Sequence, residues 1–318
     1  MDTITLNNGD RVTGEIKSLD RGKLSYSTSP MGSIDVKWNR VIRIESPRFF
    51  EVRVASGRRH YGALAAIPEQ PGAVDIHVAQ FHDTVVLAQV VEIAPIGAGF
   101  VQRLDGYVNL GWTLAKANDN RQTTFGAEVR YRPPGWTARV TTDFYYQDQD
   151  PGVPNARASL GLLGLKSVGL RWFVGALGGS ERNDETGLVL RASGGAGAGL
   201  AVLSSNQVEI ATYASVTYTN EDFVGAAPTD GAEAAFSVEG DVFKFGDQTL
   251  DGSLRVSAFP NLTDWGRVRY QTDARVSYEI LRDFTIGLTF YYTYDNRPPG
   301  GTGPVSDYAS SFTIGWKY

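Results

Sequence analysis

The chain has no cysteine among its 318 residues, which excludes disulfides and thiolate metal sites. Histidine is scarce: only His60, His77 and His82 occur, at spacings that match no zinc pattern. After residue 97 there is neither histidine nor cysteine, so a serine–histidine arrangement is impossible there. Carboxylates abound, but they read better as ion-pair partners than as a general acid and base. We therefore expect no enzyme, no catalytic residues, no metal and no cofactor. No apolar run approaches the ~20 residues of a membrane-spanning helix. That says nothing against a barrel, whose strands cross with only ~10 tilted residues. Net charge is −5 and no basic segment marks a nucleic-acid partner. Met1-Asp2-Thr3 leads straight into a strand pattern with no signal peptide, so export would require that a signal was removed beforehand.

What is present divides near Pro95. Residues 1–96 hold eleven basic and eleven acidic side chains but only six of the 36 aromatic ones. The remainder carries the whole net charge and most of the glycine. The first part is internally repeated. Ile4-Thr5-Leu6 returns as Val52-Arg53-Val54, Gly9 and Gly14 as Gly57 and Gly62, and Val41-Ile42-Arg43-Ile44 as Val90-Val91-Glu92-Ile93. An offset of 48 to 49 residues implies a duplicated supersecondary unit. Short strands separated by glycine turns fit two small SH3-like or Sm-like barrels, over 1–46 and 47–96. This part reads as a periplasmic binding module or as a structural plug or spacer.

From residue 97 onward the pattern is longer. In Arg267–Glu279 the residues Val268, Tyr270, Thr272, Ala274, Val276 and Tyr278 share one face, while Arg267, Arg269, Gln271, Asp273, Arg275, Ser277 and Glu279 share the other. Period two over such a length predicts an amphipathic strand of ~30 Å or more, enough for the ~25 Å apolar band of an outer membrane. Twelve such strands are expected, at 104–115, 121–132, 136–147, 156–166, 169–181, 187–202, 207–219, 231–244, 249–259, 266–279, 284–295 and 306–318. Their connections alternate between short and mostly longer polar ones, as short periplasmic turns and longer outer loops do in membrane barrels. A soluble β-sandwich also alternates, but needs neither this loop pattern nor strands of this length. The last strand carries Phe312, Ile314, Trp316 and Tyr318 on one face, and Trp316 and Tyr318 are its candidate assembly signal.

The fold class expected is therefore all-β: a C-terminal transmembrane antiparallel barrel of about twelve strands over 97–318, preceded by the duplicated small module. An even strand number puts both chain ends, and hence the module, on the periplasmic side of a Gram-negative outer membrane. Candidate lumen-lining residues are Glu128, Arg130, Arg139, Asp143, Arg171, Arg191, Glu209, Glu239, Arg255, Arg267, Arg269, Asp273, Arg275 and Glu279. Opposite signs inside a narrow barrel are expected to pair across strands, because an unpaired buried charge is costly.

Thr5–Ile16, reading Thr-Leu-Asn-Asn-Gly-Asp-Arg-Val-Thr-Gly-Glu-Ile, and Ser33–Trp38, reading Ser-Ile-Asp-Val-Lys-Trp, together with Leu110–Arg132, resemble the salt-induced outer-membrane protein family. That is a domain-of-unknown-function barrel family with an SH3/Sm-like amino-terminal region. The resemblance implies an outer-membrane barrel and an osmotic-stress link, and brings no functional residues. The expected partners are outer-membrane lipid and lipopolysaccharide, the barrel assembly machinery, and a periplasmic protein or peptidoglycan. The expected function is a narrow channel or transporter for small polar solutes or ions. The alternative is a non-conducting, envelope-linking barrel.

Overall fold

The computed structural model describes residues 1–97, 100, 103–115, 120–133, 135–148, 153–245, 248–281, 284–298 and 306–316. Nine strands build the amino-terminal unit: β1 (Asp2–Leu6), β2 (Arg11–Asp20), β3 (Lys23–Thr28), β4 (Gly32–Lys37), β5 (Val41–Val54), β6 (Arg59–Ala66), β7 (Ala73–Val78), β8 (Phe81–Val86) and β9 (Val90–Pro95). Short 3-10 turns at Trp38–Arg40 and Leu87–Gln89 precede β5 and β9. The sequence repeat is a repeat of hydrogen bonds. The N–H of Trp38 donates to Gly22 O at 2.9 Å, and that of Leu87 to Gly72 O at 2.8 Å. The N–H of Gly9 donates to Leu6 O, and that of Gly57 to Val54 O. Gly9 and Gly57 have φ of 91° and 87°, a backbone region open to glycine at little cost.

The expected division after residue 46 falls inside β5, a single strand that pairs with β1 through its first half and with β6 and β9 through its second. Both copies therefore share one sheet and one apolar core, in which Ile4, Ile16, Tyr26 and Ile44 of the first copy pack with Phe50, Val52, Val90 and Ile93 of the second. Trp38 adds a link, donating from Nε1 to Leu87 O at 2.8 Å.

Asp2 anchors this unit. Its side chain is 2% exposed. The Ile16 N–H and Ser46 Oγ each donate to it at 2.6 Å, and Arg48 pairs with it. Burial pushes this carboxyl up, but the hydrogen bonds from Arg48, Ser46 and Ile16 outweigh it, so its pKa lies below the ordinary 3.8. An acid with a depressed folded-state pKa stabilises the fold above its unfolded value and loses that contribution as pH falls through the folded value. Asp2→Ala is expected to cost the unit about 2–3 kcal/mol, below the 3–5 of a wholly buried pair because Arg48 is partly solvated. Amide hydrogen exchange in β1 and β2 at pH 7 reads this directly; the difference from wild type should shrink well below pH 3.8.

Twelve further strands follow: β10 (Leu104–Ala115), β11 (Asn120–Tyr131), β12 (Trp136–Asp148), β13 (Asn155–Ser167), β14 (Trp172–Asn183), β15 (Leu188–Ser204), β16 (Val208–Phe223), β17 (Thr229–Lys244), β18 (Leu250–Pro260), β19 (Val268–Leu281), β20 (Phe284–Asp295) and β21 (Ser306–Trp316). Each pairs antiparallel with the next, giving a twelve-stranded meander. Among the described residues no ladder joins β10 to β21. The even strand number sets them antiparallel, the orientation in which a meander closes. Trp316 sits opposite Phe284 at the end of β21; its side chain and Tyr318 lie outside the described residues.

The sheet curls with its polar face inward. On β15 a Cβ at Gly195 or Gly197 would run into the Val216 or Ala214 carbonyl of β16, a close backbone approach that glycine permits. The burial pattern inverts that of a water-soluble sheet. Glu221, Glu233, Thr217, Thr219 and Ser257 are buried, while Val216, Phe236, Val238, Leu254, Val256 and Leu288 are exposed.

Candidate functional site

Two groups of charged side chains converge on the inner face, one at each end. The first lies at the end of the long connections. Arg267, immediately before β19, donates from Nη1 to Glu221 Oε2 at 3.0 Å and from Nη2 to Asp295 Oδ2 at 2.7 Å. Arg191 donates from Nε to Glu221 Oε1 at 2.8 Å and from Nη1 to Glu181 Oε2 at 2.9 Å. Arg269 pairs with Glu233. These contacts tie β14, β15, β16, β17, β19 and β20 together across the inner face. Side-chain exposure falls to 5% at Glu221 and 6% at Arg267, so the charges are held by one another rather than by water. The connection after β18 packs over this end: the Leu262 N–H donates to Ala232 O at 2.7 Å, and Asn261 Oδ1 accepts from the N–H groups of Thr263 and Asp264.

The second group lies at the end of the short connections, where the amino-terminal unit seats on the sheet from β11 round to β18. Arg132, just after β11, pairs with Asp20 at 3.1 Å. Arg59 Nη2 donates to Ser167 Oγ of β13 at 2.9 Å. Arg53 Nη1 donates to Ser204 Oγ of β15 at 3.2 Å, and its guanidinium lies 4.0 Å from Glu209 of β16. Arg21 reaches Asp241 of β17 at 3.5 Å and Asp251 of β18 at 3.8 Å, and stacks over Phe243. Gly57 lies directly against Leu170, so a Cβ there would strike the Leu170 carbonyl. Burial lowers the proton affinity of the Arg53 guanidinium, but Glu92, Glu209 and Asp20 outweigh it and raise its pKa. Burial pushes the Glu51 carboxyl up, with Arg59 opposing. A cavity of about 620 Å³ remains between unit and sheet, lined by Arg53, Arg59, Arg139, Glu209, Tyr213 and Glu239 among others.

Between these ends the inner face is partly filled. Arg255 donates to Glu239 at 2.7 Å, Ser237 and Ser257 share a hydrogen bond at 2.8 Å, and Gln271 donates to Asp273 at 2.9 Å. The Phe173 and Tyr213 rings lie 5.3 Å apart. Arg130 pairs with Glu128 within β11. Glu279 accepts from the Thr249 N–H at 3.3 Å.

Three of the expected lining residues differ from the rest. Arg171 lies in the connection before β14, exposed, and donates to Val202 O at 3.3 Å. Asp143 and Arg275 lie on strands but are exposed, and neither forms an ion pair among the described residues. The structure adds Glu181, Glu221 and Asp295, which were not among the expected lining residues. Glu221 falls in a stretch read as loop, yet it continues the odd-numbered face of Glu209 and Tyr213, a parity that would have found it. Arg21, Arg53 and Arg59 carried no signal at all, since nothing in a local pattern says that they meet the second sheet.

No sequence among curated proteins matches this chain. Two solved structures resemble it. One is described as a NanC porin structure in a rhombohedral crystal form, with 9% identity and a TM-score of 0.39, covering 68% of this chain and 98% of that one. The other is described as a bacterial polysaccharide outer membrane secretin, with 12% identity and a TM-score of 0.38, covering 86% of this chain and 100% of that one. The family model described as "Protein of unknown function, DUF481" matches residues 108–318, nearly the whole twelve-stranded sheet. The chain belongs to the DUF481 family.

Proposed function

We propose that this chain is an integral outer-membrane β-barrel of a Gram-negative envelope, providing a narrow path for ions or small polar solutes. The amino-terminal unit plugs its periplasmic mouth. The observation that carries the reading is the inverted burial of the twelve-stranded sheet: apolar side chains such as Phe236, Val238, Leu254 and Val256 face out and are exposed, while Glu221, Glu233 and Arg267 are buried within. Water disfavours that arrangement and a lipid environment favours it. The seating of the amino-terminal unit on the short connections supports a periplasmic orientation, since short turns face the periplasm in such barrels. Membrane lipid, lipopolysaccharide and the assembly machinery are then its partners. We assign no catalysis, because the inner carboxylates are held largely by arginine.

The plug specifies how conduction should behave. Arg21, Arg53 and Arg59 tie it to the mouth. In planar bilayers the wild type is expected to stay closed most of the time. The variant Arg21→Ala/Arg53→Ala, which frees Asp241, Asp251 and Glu209 from the plug, is expected to open about tenfold more often, since the three partly exposed ion pairs contribute roughly 0.5 kcal/mol each. If both proteins insert but neither passes current, the channel reading fails. The occupied mouth specifically favours the second reading, an envelope-linking barrel whose SH3-like module binds a periplasmic protein or peptidoglycan.

A further inference from the structure

The cavity of about 620 Å³ between the amino-terminal unit and the sheet holds a placement that the ion pairs around it do not explain. Arg139 of β12 lies on the inner face, since Trp136, Ala138 and Val140 alternate with it and are exposed outside. Its ladder partner on β11 is Arg130. Two like charges directly opposite each other on one face of an antiparallel pair destabilise it. A sheet keeps such a pair at less cost when an anion attends it.

The acids nearby are already engaged. Glu128, opposite Thr141 and so diagonal to Arg139, accepts from Arg130. Asp20 accepts from Arg132 at 3.1 Å. Across the cavity, Glu239 accepts from Arg255 at 2.7 Å, and Glu209 lies 4.0 Å from Arg53. Asp105 is the ladder partner of Arg130 on the side away from Arg139, with β11 between them; its side chain lies outside the described residues. On its other side Arg139 faces Leu163 of β13, and the same-face neighbours on its own strand are Thr137 and Thr141. Arg139 therefore has a cation on one side and an apolar group on the other, and among the described residues it forms no ion pair. The apolar side continues. Leu163 lines the cavity together with Phe173 and Tyr213, whose rings lie 5.3 Å apart. The volume falls within the ~300–1,000 Å³ of common small-molecule sites.

We propose that this chamber binds a small organic carboxylate. The carboxylate accepts from the Arg139 guanidinium, beside Arg130, and the body of the molecule lies against Leu163, Phe173 and Tyr213. A guanidinium presents a planar fork that matches a carboxylate. The apolar wall selects an anion with an organic body over an inorganic one. One uncommitted arginine selects a single negative charge, because a second carboxylate would have to displace Glu128 or Asp20 from its partner. The site names the solute class for the path proposed above, and that part rests on the channel reading; binding itself does not.

Benzoate is the probe, titrated by calorimetry into the full chain folded in detergent, with neutral benzamide as its control. Wild type should bind benzoate with a Kd of about 0.1–1 mM and benzamide at least about tenfold more weakly. Arg139→Gln should weaken benzoate about thirtyfold, as loss of a charge-assisted hydrogen-bond pair does, and should leave benzamide nearly unchanged. Arg139→Lys, which keeps the charge without the fork, should fall between. A merely structural arginine would not move the ratio of benzoate to benzamide. A heat-dependent gel shift shows for each variant that the barrel has folded, and Arg139→Gln should fold at least as well as wild type because it removes a like-charge pair. Folded wild type that binds no benzoate, or folded Arg139→Gln that binds it undiminished, would overturn the proposal. Displacement of benzoate by an equal concentration of inorganic phosphate would overturn it as well, since the organic body would then contribute nothing. The channel reading fails separately: a protein that binds benzoate as expected but never conducts keeps the site and loses the path, whereas conduction without benzoate binding keeps the path and removes the site.

Discussion

Replacing Arg267 with alanine is expected to destabilise the barrel by about 3–5 kcal/mol, the range for removing one partner from a buried charge network. Its guanidinium is 6% exposed and serves two acids, Glu221 and Asp295. Alanine leaves Asp295 with no strong partner and Glu221 with Arg191 alone. The cost is therefore mainly that of stranded carboxylates, and it should fall when they are neutralised. Arg267→Met/Asp295→Asn is expected to recover a large share of the loss, because the amide needs no counter-charge. Arg267→Lys should recover less than its charge suggests, since an ammonium cannot present the planar fork that reaches both acids. Urea-driven unfolding from lipid vesicles, followed by the heat-dependent gel shift, gives all three values. A loss under about 1 kcal/mol for Arg267→Ala would mean that water reaches this end freely and that the network is a solvated surface cluster.

The strands were legible because they are long and their two faces differ in chemistry. β10 and β20 lie where the alternation put them, at Leu104–Ala115 and Phe284–Asp295. β16 and β17 run further than expected, to Phe223 and from Thr229. There the alternation fades into Asn220, Glu221, Asp222 and Asp230, yet Asn220 still pairs with Asp230 and Glu221 with Thr229. Backbone pairing needs no contrast between faces, so a ladder that continues beyond the apolar band leaves no mark in hydropathy. The amino-terminal turns at Gly9 and Gly57 were legible from their glycines, but the single strand β5 that runs across the expected boundary was not. Ser46-Pro47-Arg48 reads as a break, since proline cannot donate to a ladder. In the fold it sits where β5 shifts register against β6 between Ser46 and Phe50, a bulge that accommodates proline within a continuous strand. Least legible was the docking of one part on the other. Arg53 meets Ser204 across 151 residues of sequence, and no local pattern encodes such a pairing. The family match starts at residue 108, so the Thr5–Trp38 motifs that carried half of the family resemblance lie outside it.

Val276→Arg and Arg275→Ala, neighbours on β19, should have opposite consequences. Val276 faces outward, 44% exposed, opposite Gly252 and Leu288. An arginine there near mid-membrane is expected to cost about 2–4 kcal/mol, because its guanidinium meets hydrocarbon. Arg275 is on the other face, lining a cavity of about 310 Å³ with Asp273, Thr289 and Tyr291. It forms no ion pair among the described residues, so its removal strands none of the described carboxylates and should cost less than about 0.5 kcal/mol. What Arg275→Ala removes is positive potential inside the barrel. In a salt gradient its reversal potential should shift toward cations relative to wild type, by an amount that falls as ionic strength rises. Folding and conduction thus report on different faces of one strand. If Val276→Arg folds like wild type while Arg275→Ala does not, the faces are assigned the wrong way round. If folding follows the expectation and neither variant nor the Arg21→Ala/Arg53→Ala protein ever passes current, the sheet spans a membrane without conducting. The charged interior is then a filling, and the amino-terminal unit becomes the part that acts, by what it holds in the periplasm.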